Sequence, residues 1–255
     1  FYCWFGMIPA ALAVSQDQLE TINQQWKGSA HALNDVNCAS CHKDKKTKAL
    51  VNNLGPESCK SCHEGEVDTF LLGKHGIRLL EKQSPLTPDR ARIPMQADAH
   101  SKSMNCNACH NVHSVKTVPA AVDSCLTCHS DQHSLNYEKS KHAQLFQAKA
   151  ARLPRPDQAS VTCATCHLPR SLMDEDDEDS VFVNHNNTYT LLPRDRMVRD
   201  VCMNCHGMEY SYNNIFDDEN VEANFDHAST QDLKTLEMMR TAEKVRGVKR
   251  RRSSD

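Results

Sequence analysis

The pattern Cys-x-x-Cys-His occurs six times in this chain and takes up twelve of its thirteen cysteines. The copies are Cys38/Cys41/His42, Cys59/Cys62/His63, Cys106/Cys109/His110, Cys125/Cys128/His129, Cys163/Cys166/His167 and Cys202/Cys205/His206. With cysteine and histidine each near a twentieth of the residues, chance would give roughly 0.03 copies in such a chain, so the repetition encodes a chemistry. Two thiols separated by two residues can each add to one vinyl group of the same haem, and the adjoining imidazole then turns onto the iron. Each motif therefore attaches one c-type haem through two thioethers and supplies its proximal ligand, which makes six covalent haems. Zinc ribbons also pair Cys-x-x-Cys, but tetrahedral zinc has no need of histidine directly after the second cysteine every time. A disulfide scaffold would not repeat one five-residue spacing.

Haem density then sets the architecture. Six haems in 255 residues is about one per 42, while only 5% of residues are aromatic and 39% hydrophobic. That supply is thin for a core of this length. Large flat apolar macrocycles take the place of the missing side chains, wrapped by short helices and loops. The expected fold is mostly α and loop-rich, with closely packed haems as the core and few or no strands. Ser15-Gln16-Asp17-Gln18 reads as a capping box opening a helix with Leu19, Ile22 and Trp26 on one face. Residues 136–153 are rich in helix formers, and residues 231–248 carry Leu233, Leu236, Arg240 and Val245 at helical spacing. First cysteines of successive motifs lie 21, 47, 19, 38 and 39 residues apart, which suggests that motifs one and two, and three and four, form local pairs.

The expected segmentation is a signal-peptide remnant over 1–13, a hexahaem domain over 14–230, and a C-terminal helix with a basic tail over 231–255. Residues 1–13 carry no charge, and Ala11-Leu12-Ala13 offers the small-x-small pattern of a signal-peptidase site. An uncleaved anchor is the alternative and needs about 20 apolar residues. Covalent haem attachment takes place outside the cytoplasmic membrane, so the compartment is expected to be periplasmic or extracellular, with membrane association open.

Subtracting six proximal histidines from fourteen leaves His31, His75, His100, His113, His133, His142, His185 and His227 for the opposite faces of six irons. Methionine is the competing ligand, and none of the nine recurs at a fixed offset from the motifs. His113 lies three residues after His110 and His133 four after His129. Residues so close cannot pass round their own macrocycle, so as ligands they must serve a neighbouring haem; otherwise they bond a propionate or a carbonyl. His100, His113, His133, His142 and His185 rank first as distal ligands, then His31 and His75, with His227 last.

The stretch Cys125-x-x-Cys128-His129-Ser-Asp-Gln-His133, then Tyr137-Glu138-Lys139-Ser140-Lys141-His142, Val161-Thr162-Cys163-Ala164-Thr165-Cys166-His167 and Asn184-His185-Asn186 resembles the hydroxylamine oxidoreductase group of multihaem cytochromes. The resemblance covers roughly residues 98–206. It implies a largely helical fold with closely packed haems, and distal ligation by His113, His133, His142 and His185. Two departures separate the chain from that group. Its enzymes typically carry eight haems, and the related nitrite reductases often use Cys-x-x-Cys-Lys, which does not occur here. Catalysis is therefore not implied, and haem packing is.

Two function classes follow. One is an electron carrier whose mostly bis-histidine haems form a chain between redox protein partners, a membrane quinol-oxidising donor among the candidates, with haem-to-haem contact to other subunits. The other is an oxidoreductase acting on hydroxylamine, nitrite or a sulfur oxyanion at one five-coordinate haem. Eight spare histidines favour the first, because they can fill every position, and Asp98 beside His100 is the best acid–imidazole pair the second can offer. A net charge of -3 leaves no footprint for nucleic acid. The acidic run at 174–179 reads as a solvated loop or a docking surface. The basic residues 249–252 read as a solvated tail or a contact for an acidic partner or anionic lipid. Intact-mass measurement of the holoprotein should give an increment of six haems over the polypeptide, and a smaller increment would remove at least one motif from the list.

Overall fold

Ser15 opens the first helix, Gln16–Lys27, as a full capping box. Its Oγ accepts from Gln18 N at 3.2 Å while Gln18 Oε1 accepts from Ser15 N at 2.9 Å. The indole of Trp26 then donates to Val36 O at 2.9 Å, fastening this helix to the chain just ahead of Cys38. These contacts come from a computed structural model, which describes residues 14–44, 46–52, 54–151, 160–174, 177–231 and 237. Residues 1–13, and the C-terminal helix and basic tail expected beyond Gln231, lie outside that set apart from Glu237.

Helices are short, and the haem motifs themselves form helical turns. Cys38–His42, Cys106–Cys109 and Cys163–His167 are single α-turns, and Cys202–Asn204 is a 3-10 turn. A turn of helix puts residues three apart on one face, so both cysteines of a motif look the same way. A polar cap sits directly ahead of the first cysteine in three motifs. Asn37 Oδ1 accepts from Ala39 N (3.0 Å) and Ser40 N (3.2 Å), Asn105 Oδ1 from Ala108 N (3.2 Å), and Thr162 Oγ1 from Thr165 N (3.2 Å). Ser40 and Thr165 return the bond to the cap amide, at 3.2 and 3.1 Å.

The described residues divide into two compact units, Phe1–Leu54 with His110–Lys116 and Gly55–Cys109 with Thr117–Asp255. The first motif thus falls in one unit and the second in the other. In the second unit the apolar interior is two small clusters: Val122, Tyr137 and Ala143 with Leu126, Phe146 and Cys163, and Met197, Val198 and Ile215 with Cys166, Val201, Cys202, Tyr212 and Phe225. Motif cysteines line both. Meanwhile Leu33 and Leu50 are more than four-fifths exposed, so the side chains alone do not cover the apolar surface of this chain.

The helix-rich stretch at 136–153 is broken. Gln132–Asn136 is followed by a 3-10 turn, Tyr137–Lys139, and Ser140 then caps a new helix, Lys141–Ala151, accepting from Ala143 N at 3.1 Å. The break puts His133 and His142 on separate helices. One hairpin departs from the helical pattern: β1, Arg170–Asp174, pairs antiparallel with β2, Asp177–Val183, in the register Arg170 with Val183 and Leu172 with Val181. The acidic run, expected as a loop, contributes Asp174 to β1 and residues 177–179 to β2. Phe182 of β2 lies on Gly65 of the helix Glu64–Leu72, where a Cβ would come within 2.8 Å of the ring, so only glycine fits. His185 N donates to Thr69 Oγ1 of that helix at 2.9 Å. Thr162→Ala should lower stability by about 1 kcal/mol through loss of the cap, read from denaturant unfolding of the holoprotein; an unchanged midpoint would show that the turn at Cys163–His167 does not need it.

Candidate haem-binding site

Each motif turn presents two cysteines and a histidine, and the question is what faces that histidine. Spare histidines lie opposite the rings of motif histidines. His42 faces His113 with ring centroids 6.3 Å apart, His129 faces His75 at 6.2 Å, His167 faces His133 at 6.1 Å, and His206 faces His142 at 6.3 Å. A metal–imidazole nitrogen bond of about 2 Å, with the ring centre roughly 1.1 Å behind the nitrogen, puts two imidazoles on one metal at about 6.3 Å between centroids. The residues present therefore fit an iron between each pair. Direct stacking of imidazoles would bring the rings closer, as Tyr210 shows against His206 at 4.9 Å.

Hydrogen bonds fix which nitrogen is offered. Nδ1–H of His42 donates to Val51 O (2.8 Å), that of His133 to Val221 O (2.5 Å) and that of His185 to Val183 O (2.7 Å). A carbonyl only accepts, so Nδ1 carries the proton and Nε2 keeps its lone pair for a metal. Burial, followed by the charge of the facing ring, pushes His75 down to about 4. Burial also pushes His167 to about 4, and lowers His113 and His142. Neutral imidazole is the form that ligates iron.

The cysteines form a series in the second unit. Cys59 lies beside Cys106, and Cys125 beside Cys163. Cys109 lies within electrostatic reach of Cys125, as Cys166 does of Cys202. Successive motifs from the second to the sixth thus bring their cysteines together. Cys62, His63, Cys205 and His206 at the two ends of this series are exposed, while Cys128 in the middle is buried. Among the described residues no three His, Cys, Asp or Glu side chains converge on one point as a zinc site requires.

Of the remaining spare histidines, His31 lies on the helix Ala30–Leu33 and His185 follows β2, both half-buried. His100, after the 3-10 turn Ala97–Ala99, and His227, bonded to Asp226, are exposed, and neither has a proximal histidine against its ring among the described residues. Sequence reasoning missed residues that hold His129 and His133 in place. Asp131, two residues after His129, has Oδ2 at 3.6 Å from His129 Nδ1 and caps the helix carrying His133. Asn224 Nδ2 donates to His133 O at 2.9 Å. The Asp-x-x-Ser spacing of Asp131 and Ser134, a helix-start signal, could have revealed the first.

Residues 30–130, spanning the first four motifs, match the family model described as cytochrome c3. Over 114 residues the chain is 30% identical to the multiheme cytochrome MtrA of Shewanella baltica (strain OS185), covering 42% of this chain and 28% of that protein. The chain is a multihaem c-type cytochrome. Its fold is similar to a chain of the Kuenenia stuttgartiensis reducing HAO-like protein complex Kustc0457/Kustc0458, with a TM-score of 0.50 over 79% of this chain and 56% of that one. At 18% identity this likeness concerns the fold alone. This cytochrome spans little more than a quarter of its curated relative and just over half of the solved chain. Its cofactor is c-type haem. No helix among the described residues is long and apolar enough to cross a membrane.

Proposed function

We propose that this cytochrome conducts electrons between redox protein partners through six c-type haems carried by residues 14–230, in the periplasm or outside the cell. Attachment is by Cys38, Cys41, Cys59, Cys62, Cys106, Cys109, Cys125, Cys128, Cys163, Cys166, Cys202 and Cys205, with His42, His63, His110, His129, His167 and His206 as proximal ligands. The distal ligands are His113 opposite His42, His75 opposite His129, His133 opposite His167 and His142 opposite His206. For the haems on His63 and His110 the candidates are the half-buried His31 and His185, ahead of the exposed His100. Bound haem supplies a one-electron couple at each iron.

The observation that carries this reading is the set of facing imidazoles at 6.1 to 6.3 Å. Each set joins one motif's own histidine to a spare one from elsewhere in the chain, and none leaves room for a substrate between them. The cysteine series from Cys59 to Cys202 supports conduction rather than isolated sites, because attachment points in contact hold macrocycles close. Exposure of His63 and His206 supports these ends as the places where electrons are admitted and released. Partners of the kind suggested are other cytochrome subunits in contact through haem edges and a membrane quinol-oxidising donor. The relatives are consistent with this, one being a multiheme cytochrome and the other part of a protein complex.

Fully reduced protein mixed with a large, membrane-impermeant oxidant in a stopped-flow instrument should discharge several electrons rapidly, with negligible steady-state turnover of hydroxylamine, nitrite or tetrathionate. Robust turnover of any one of these would replace conduction by catalysis. At the level of ligands, His142→Met should raise the potential of one haem by on the order of 0.1 V, within the roughly 0.8 V that axial ligands control, and leave the other five in place. An unchanged titration would remove His142 from the ligands.

A further inference from the structure

Asp131 carries a charge that its structural job does not require. As N-cap of Gln132–Asn136 it accepts from Ser134 N at 3.1 Å through Oδ1 and from Ser134 Oγ at 2.8 Å through Oδ2. Asparagine or serine caps a helix equally well. Yet a carboxylate stands here, only 20% exposed, where losing water penalises its charge. What surrounds it is a cluster of imidazoles. Oδ2 lies 3.6 Å from Nδ1 of His129, which faces His75, and Asp131 is also within electrostatic reach of His167, which faces His133. His133 itself is on the helix that Asp131 caps. One half-buried carboxylate therefore adjoins the pair of His129 with His75 and caps the helix that carries His133 of the next pair.

At 3.6 Å the carboxylate acts on the His129 imidazole through its charge, which makes Nε2 of a ligating ring the more basic. A more basic ligand, and a fixed negative charge nearby, stabilise ferric over ferrous iron. Resting on the ligand assignment proposed above, we infer that Asp131 is a positioning residue that lowers the potentials of the haems on His129 and His167 together. Electrons crossing this pair meet a local rise in energy, so they rest on the haems to either side of it.

The test is spectroelectrochemical titration of the holoprotein carrying Asp131→Asn, which keeps the cap and removes the charge, beside wild type and Asp131→Glu. Asp131→Asn should raise two of the six components, each by about tenfold in the ferrous-to-ferric ratio at a fixed poise, or about 59 mV for a one-electron couple. Asp131→Glu should return both toward wild type. Haem content by intact mass and the low-spin visible spectrum should stay as in wild type, which a merely structural role would not combine with shifted potentials. Six unchanged potentials, or an equal shift in all six, would overturn the role of Asp131 while leaving the ligand assignment standing. High-spin iron in the wild type at these haems would instead sink the assignment itself. If Asp131→Asn loads fewer haems, Asp131→Ser carries the same expectation, its hydroxyl serving as the cap.

Discussion

The facing of two imidazoles at the spacing that one iron between them requires is the constraint on which the rest of this structure depends. Each such pair ties together segments well apart in the chain: His42 with His113, His75 with His129, His133 with His167, His142 with His206. A metal clip that closes a loop acts like a disulfide, removing conformational freedom from the unfolded chain. Binding free energy gained only in the folded state is folding free energy. This explains how a chain with two small apolar clusters in its second unit can hold its short helices together. It also explains why the motif cysteines Cys163, Cys166 and Cys202 line those clusters. The interior of this protein is organised around what the cysteines carry.

The same constraint selects the local structure. A single helical turn suffices to aim two cysteines and a histidine, so the motifs need caps more than length. Asn37, Asn105 and Thr162 supply them. Ser140 ends one helix and starts the next, and by doing so sends His133 and His142 toward different proximal histidines, His167 and His206. Gly65 gives way to Phe182, which seats the hairpin and the following His185 on the helix behind the second motif.

How much of this was legible in the sequence differs by level. The haem motifs, the short helical and loop-rich fold and the capping box at Ser15 are local patterns, and each is written within five residues. The hairpin was not legible, because its two strands meet at a run of acids that mimics a loop and only Ser180 to Val183 has the composition of a strand. Nor was the partner of each histidine, since pairing is a property of the fold: His75 gives no local sign that it faces His129, 54 residues away. Sequence separation did place one limit, that His113 and His133 could not face their own motif's histidine, and both face the histidine of another motif. Asp131 was passed over because an N-cap carboxylate is commonplace, and its proximity to His129 emerges only once the turn after Cys128 is drawn.

Closure of the irons on both faces is the central claim, and it separates a conductor from an enzyme. Exposure of the fully reduced holoprotein to carbon monoxide, followed through its visible spectrum, tests it most directly. With an imidazole on each side of every iron, the spectrum should stay unchanged on the timescale of mixing, because the gas finds no open position. Rapid, stoichiometric binding at one haem would contradict the account and mark that haem as a catalytic site.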